Sequence, residues 1–148
     1  SELLVSELPP IYDGRIITDR KSEFQGHLAP VYHIKQVHMV VNKLKENKKI
    51  ADATHNIIAY RIDSDIGGKN SGSYDDGEHH AGNRMLHLLE QMDAKNVLVV
   101  VSRWYGGIHL GPDRFRHINA CTKDLLEEHG YMRQKVVLIT FIIIINYF

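Results

Sequence analysis

The sequence predicts one domain of the α/β (α+β) class, a two-layer sandwich in which a mixed sheet is backed by helices. Three observations carry that expectation. Segments with helical apolar spacing alternate with short runs of strand composition, in the order strand–helix–strand–helix–strand–helix–strand. The run Val97-Leu98-Val99-Val100-Val101 is apolar throughout, the pattern of a central strand covered on both faces. A chain of 148 residues, 43% hydrophobic and 24% charged, is long enough to bury a real core and too apolar to be disordered.

Residues 1–18 read as an N-terminal extension, punctuated by Pro9-Pro10 and Asp13-Gly14. The domain proper spans 19–131. A first strand is expected over 24–31. Ile34, Val37, Val41 and Leu44 then form the stripe of an amphipathic helix, which ends near Asn47-Lys48-Lys49, where cations suit the negative end of its dipole. A second strand is expected over 56–62, followed by a long polar loop over 63–80 containing Gly67, Gly68, Gly72 and Gly77. A second helix over 81–92 buries Met85, Leu89 and Met92. After the central strand, a glycine-rich turn leads to Pro112, well placed at a helix start. The third helix turns Phe115, Ile118, Leu125 and Leu126 inward and stops at Gly130. The tail, 132–148, contains the apolar run 136–148, dominated by β-branched residues, and reads as a strand that must be covered by the third helix or by a second copy of the chain.

Lys plus Arg and Asp plus Glu are both 18, so net charge supplies no argument for nucleic-acid binding. The single cysteine, Cys121, excludes an internal disulfide and a Cys-based zinc site. It falls mid-helix, where a small buried thiol is expected rather than a nucleophile. The acidic N-terminus does not resemble a secretory signal, and the tail run is shorter than the roughly 17–25 residues of a membrane-spanning helix. A cytoplasmic protein with no membrane partner is expected.

Two constellations carry chemistry. In Asp75-Asp76-Gly77-Glu78-His79-His80, three carboxylates and two imidazoles crowd together, but their spacing matches no metal motif. The structural alternative is a solvated turn with Glu78 placed before a helix N-terminus, where negative charge is favoured. The second is Ser102-Arg103-Trp104-Tyr105-Gly106-Gly107, followed by Gly111-Pro112-Asp113-Arg114. A central strand there ends in an arginine and two aromatics, then a glycine turn feeds a helix start. Such a place can bind an anion, with Arg103 and Arg114 adding charge. The same residue types suit a protein-binding hot spot, or a buried core anchor. Asp76, Glu78, Arg84, Arg103 and Arg114 are expected to converge, with Arg84 or Arg103 paired to Asp76 or Glu78.

The segment DDGEHHAGNRMLHLLEQMDAKNVLVVVSRWYGGIHLGPDRFRHINAC resembles the signature region of the IMPACT family, in particular the conserved C-terminal "ancient" domain of its eukaryotic members and their bacterial relatives. DRKSEFQGHLAPV and KKIADATHNIIAYRI resemble upstream blocks of that family. The resemblance implies a fold like the second domain of ribosomal protein S5 and a role in translational regulation during stress. It implies binding to the ribosome-associated activator of the amino-acid-starvation kinase, inhibition of that kinase pathway, and binding to monomeric actin. The implied binding positions are Asp76, Gly77, Glu78, Arg84, Arg103, Trp104, Tyr105, Gly106, Gly107, Gly111, Pro112 and Arg114. It brings no catalytic residue, metal or cofactor. The resemblance implies an N-terminal RWD domain and a Lys-rich tail in eukaryotic members; this sequence is expected to depart from that pattern, lacking the former and ending in an apolar tail. Two rival readings are a nucleic-acid or ribosome-binding module, and an enzyme acting on a phosphorylated small molecule at the glycine turn.

Overall fold

A computed structural model describes residues 5–131 and 134–147. Five strands build one sheet: β1 (Tyr12–Asp19), β2 (Ser22–Pro30), β3 (His55–Ser64), β4 (Gly68–Tyr74) and β5 (Val97–Trp104). Their order is β1-β2-β5-β3-β4, so β5 is central. The helices are α1 (Ile34–Lys45), α2 (Lys48–Ala51), α3 (Ala81–Gln91), α4 (Asp113–Glu128) and α5 (Gln134–Tyr147).

The α+β class and the helix-backed sheet are found, and the sheet departs from expectation in one respect. Every pairing is antiparallel, so the sheet is not mixed. The reason is the insertion of β5 between β2 and β3. The unit β2–α1–β3 would otherwise lay two parallel strands side by side.

Alternation along β5 divides the core. Val97, Val99 and Val101 join Phe24, Leu28, Ile57, Met85, Leu89, Ile118, Leu125 and Leu126 in one cluster, under α3 and α4. Leu98 and Val100 join Val37, Val40, Leu44 and Ile50 in a second cluster, under α1 and α2. Helices therefore cover both faces, giving three layers rather than two. Each fully buried Leu, Ile or Phe among these contributes about 1.5–3 kcal/mol.

Local sequence explains the helix ends. His33 caps α1 by accepting from the Lys35 N–H, and Asn47 caps α2 by accepting from the Lys49 N–H. Gly26 lets α4 lie close on β2: a Cβ there would meet Leu125 Cδ1 at 2.8 Å and the Cys121 carbonyl oxygen at 3.2 Å.

Two strands and one helix correct the sequence reading. Residues 12–19 are a strand within what reads as an extension, and 68–74 are a strand within what reads as a loop. Both are edge strands with mostly exposed side chains, so neither shows the apolar alternation of a half-buried strand. The tail is a helix over Gln134–Tyr147, not a strand, and Phe141 to Ile145 are exposed in the single chain, so the third helix does not cover them. β-Propensity measures fit to a pleated, half-buried surface, and the described residues of the tail contribute no strand to the sheet. Residues 132, 133 and 148 of that tail expectation lie outside the described residues.

Candidate functional site

The end of β5 delivers consecutive side chains to opposite faces. Arg103 points to the α3–α4 side, between its cross-strand neighbours Phe24 of β2 and His55 of β3. Its guanidinium lies 5.3 Å from the Phe24 ring centre. The turn before α3 brings Glu78 to it. Asp76 and Gly77 both adopt left-handed backbone (φ 48° and 86°), and Glu78 lies buried at 5% exposure. Arg103 Nη1 donates to Glu78 Oε2 at 2.5 Å. Arg114, in the first turn of α4, places Nε 3.0 Å from Glu78 Oε1, near enough for an ion pair but not aligned for a hydrogen bond. Its Nη1 donates to the Gly111 carbonyl at 3.1 Å.

His55 closes the cluster. Its Nδ1–H donates to the Asp76 carbonyl at 2.7 Å, since a carbonyl can only accept, which turns Nε2 toward Glu78 Oε2 at 3.7 Å. Together with Thr54, Tyr105, His109, Leu110 and Gly111, these residues line a cleft of about 350 Å³. Tyr105 is exposed, and its ring lies 5.8 Å from the Arg103 guanidinium and 5.5 Å from the His109 ring.

The expected convergence is therefore partial. Glu78, Arg103 and Arg114 meet, and the expected Arg103–Glu78 pair is present. Asp76 adjoins them but accepts the Asn56 N–H at 2.8 Å. Arg84 pairs with neither carboxylate. Its guanidinium sits 4.2 Å from the centre of the Phe115 ring, which also carries that of Arg114 at 4.5 Å. Helix-capping charge comes from Asp75 and not from Glu78: the Asp75 carboxylate accepts the N–H groups of His80 and Gly82 at 3.1 and 2.7 Å. Trp104 lies on the other face. Its indole N–H donates to the Lys49 carbonyl at 2.9 Å, and the Lys49 ammonium stands 4.8 Å from its ring centre.

The glycine turn is a docking point for the β1–β2 hairpin. A Cβ on Gly106 would lie 2.2 Å from the Lys21 carbonyl carbon and oxygen, so only glycine fits. The Gly106 N–H donates to Ser22 Oγ at 3.2 Å and the Tyr105 N–H to Thr54 Oγ1 at 2.9 Å. In Gly107 and Gly111 the φ angles are 90° and 58°, and Pro112 forms the N-cap of α4. At the hairpin tip, Arg20 bridges Asp19 and Asp113, and with His117 it holds the Asp19 carboxyl down to about 2.

Sequence reasoning missed His55, Thr54 and His109. His55 stands out only once the β3–β5 register places it beside Arg103. It also missed a polar relay on the α1–α2 side. His27 Nδ1 lies 2.7 Å from Asp13 Oδ1 and Nε2 3.1 Å from Ser102 Oγ, which donates to Asn56 Oδ1 at 2.7 Å. Asn56 in turn donates to the Ile50 carbonyl. This has the residue types of a hydrolytic triad, but His27 is 1% exposed and Ser102 0%, so no substrate reaches the hydroxyl. Burial also lowers the His27 pKa and pushes the Cys121 thiol up to about 12. Among the described residues, no group of three or more His, Cys, Asp or Glu is placed to hold a metal ion, and no helix is long and apolar enough to cross a membrane.

A solved structure described as a hypothetical protein is 25% identical, aligns with a TM-score of 0.69, and covers 81% of this chain and 59% of its own. A second, described as the two-domain translational regulator Yih1, is 40% identical with a TM-score of 0.58, over 84% of this chain and 50% of its own. Protein IMPACT of Homo sapiens is 61% identical over 132 residues, 88% of this chain and 41% of that protein. The chain thus spans about two-fifths of the length of that relative. The family model described as the Impact N-terminal domain matches residues 20–126, which replaces the family's C-terminal domain as the description of this unit. On the extent of that match, the chain belongs to the IMPACT family.

Proposed function

We propose that this chain is a cytoplasmic translational regulator that acts by binding proteins, competing for the ribosome-associated activator of the amino-acid-starvation kinase and so inhibiting that kinase pathway. Membership of the family and the likeness to a translational regulator support the general role. The observation that carries the binding mode is the anchored loop after β5. Tyr105 and Ile108 are 42% and 44% exposed, while the backbone beneath them is tied to Thr54 and Ser22. An exposed aromatic on a rigid loop beside arginines is the make-up of an interaction hot spot, because little ordering entropy is lost on binding. The two nucleophile candidates support binding over catalysis, since Ser102 is sealed and Cys121 carries a buried, neutral thiol.

Retention of the activator on the immobilised chain tests this reading. Tyr105→Ala is expected to weaken retention at least tenfold, in keeping with a hot-spot cost of about 2 kcal/mol or more. Retention no greater than on a blank resin would refute it. The same surface is proposed for monomeric actin and for the ribosome, each tested by cosedimentation with the two forms of the chain.

A further inference from the structure

At the floor of the cleft the charges do not balance. Glu78 serves both Arg103 and Arg114. The neighbouring carboxylates are committed elsewhere: Asp76 to the Asn56 N–H, Asp75 to the start of α3, and Asp113 to Arg20 and Arg116. Two guanidiniums therefore share one anion, although Arg103 is only 5% exposed. Its Nε is buried and has no hydrogen-bond acceptor. The surplus positive charge lies on Arg114, whose side chain is 30% exposed at the cleft, and it is left without a counter-ion until an anion arrives.

The cleft suits a small ligand. Its volume of about 350 Å³ is enough for a compact metabolite or a single substituent of a larger one. Tyr105 and Leu110 give it an apolar wall, and His55 and His109 lie around the arginine pair.

We propose that this cleft binds the phosphate group of a phosphorylated small molecule, held by Arg103 and Arg114, with the body of the molecule against the Tyr105 ring. A phosphate has three free oxygens and up to two charges, which two planar guanidinium forks can meet together; one carboxylate needs only one fork. Glu78 is a positioning residue in this arrangement, spacing the two guanidiniums without touching the ligand. The site does not depend on any protein partner.

Titration of the full chain with inorganic phosphate, adenosine 5′-monophosphate and acetate, at constant ionic strength, tests the proposal. Calorimetry gives affinity, and the Nε–Hε resonance of Arg103 reports location. Saturable phosphate binding that moves that resonance is expected, with adenosine monophosphate several-fold tighter. Arg114→Gln should weaken phosphate at least tenfold and Arg114→Lys less, whereas Arg116→Gln, at a 66% exposed side chain, should change nothing. A melting curve of each variant without ligand establishes that it is folded. Adenosine monophosphate binding no tighter than phosphate overturns the contact with the Tyr105 ring and leaves the bare anion as the ligand. Acetate binding as tightly as phosphate overturns the assignment in favour of a partner's carboxylate. Absence of saturation below about 10 mM for every probe overturns the site itself. So does phosphate binding that is insensitive to Arg114→Gln.

Discussion

Ser102 and Arg103 are neighbours on one strand and nearly equally buried, yet they enter opposite kinds of surroundings. Ser102 joins a relay that runs from neutral groups, closed by protein on its inner side, to a single carboxylate. His27, Ser102 and Asn56 each find a partner, and the outer end, Asp13, reaches solvent at 60% side-chain exposure. Arg103 joins a charged cluster that opens into a cleft and keeps two donors, Arg103 Nε and Arg114 Nε, without acceptors. The first arrangement is self-sufficient and therefore structural. The second is incomplete and therefore able to respond to something outside it. What separates a polar core from a binding site here is unspent hydrogen-bonding and charge, not burial.

The largest expected effect breaks the charged side of this contrast. Glu78→Gln removes the carboxylate shared by two guanidiniums, and is expected to lower stability by about 3–5 kcal/mol in denaturant unfolding. If the loss is under about 1 kcal/mol, the cluster is solvated and the contrast collapses. On the neutral side, Ser102→Ala leaves His27 Nε2 and Asn56 Oδ1 without their shared hydroxyl. The expected loss is smaller, about 1–3 kcal/mol, without any change in cleft ligand binding. Asp75→Ala is expected to cost about 0.5–2 kcal/mol, because it uncaps α3 but leaves the Glu78 pairs intact. A drop as large as that of Glu78→Gln would show the cap and the cluster to be one unit.

The smallest effect is a pH slope. Burial lowers the His27 pKa, so below about pH 6.5 the unfolded chain takes up a proton that the folded chain resists. Stability from this residue is complete above that pH and falls away as the pH drops toward the lowered folded value. Thermal melts between about pH 7.5 and 5 should show this slope in the native chain and a shallower one in His27→Gln. Identical slopes would mean that Asp13 offsets the cost of burying the imidazolium.

Those residues also show how far the sequence could be read. The helices were legible because each lays an apolar stripe on a core, as Met85 and Leu89 do in α3. β5 was legible because both its faces are covered. β4, with the sequence GKNSGSY, pairs with β3 and buries none of its residues, so nothing in its side chains announces a strand. The Glu78–Arg103 pair was foreseeable from charge, since a buried ion needs a counter-ion. The role of Asp75 was not, because Asp75, Asp76 and Glu78 are chemically alike and only the turn geometry assigns them different partners. Asp13, His27, Asn56 and Ser102 are scattered along the chain, and only strand register brings them together.

Cys121 has a practical consequence. It is the chain's single cysteine, packed where α4 meets Gly26 of β2, and its thiol is held at about 12. Alkylating reagents attack the thiolate, which the folded chain barely forms near neutral pH. Each labelling event therefore counts one separation of α4 from the sheet. With reagent in excess, the labelling rate becomes a clock for the opening of the helix that carries Arg114. If a ligand in the cleft holds α4 down, that clock should slow, with no engineered probe or added chromophore required.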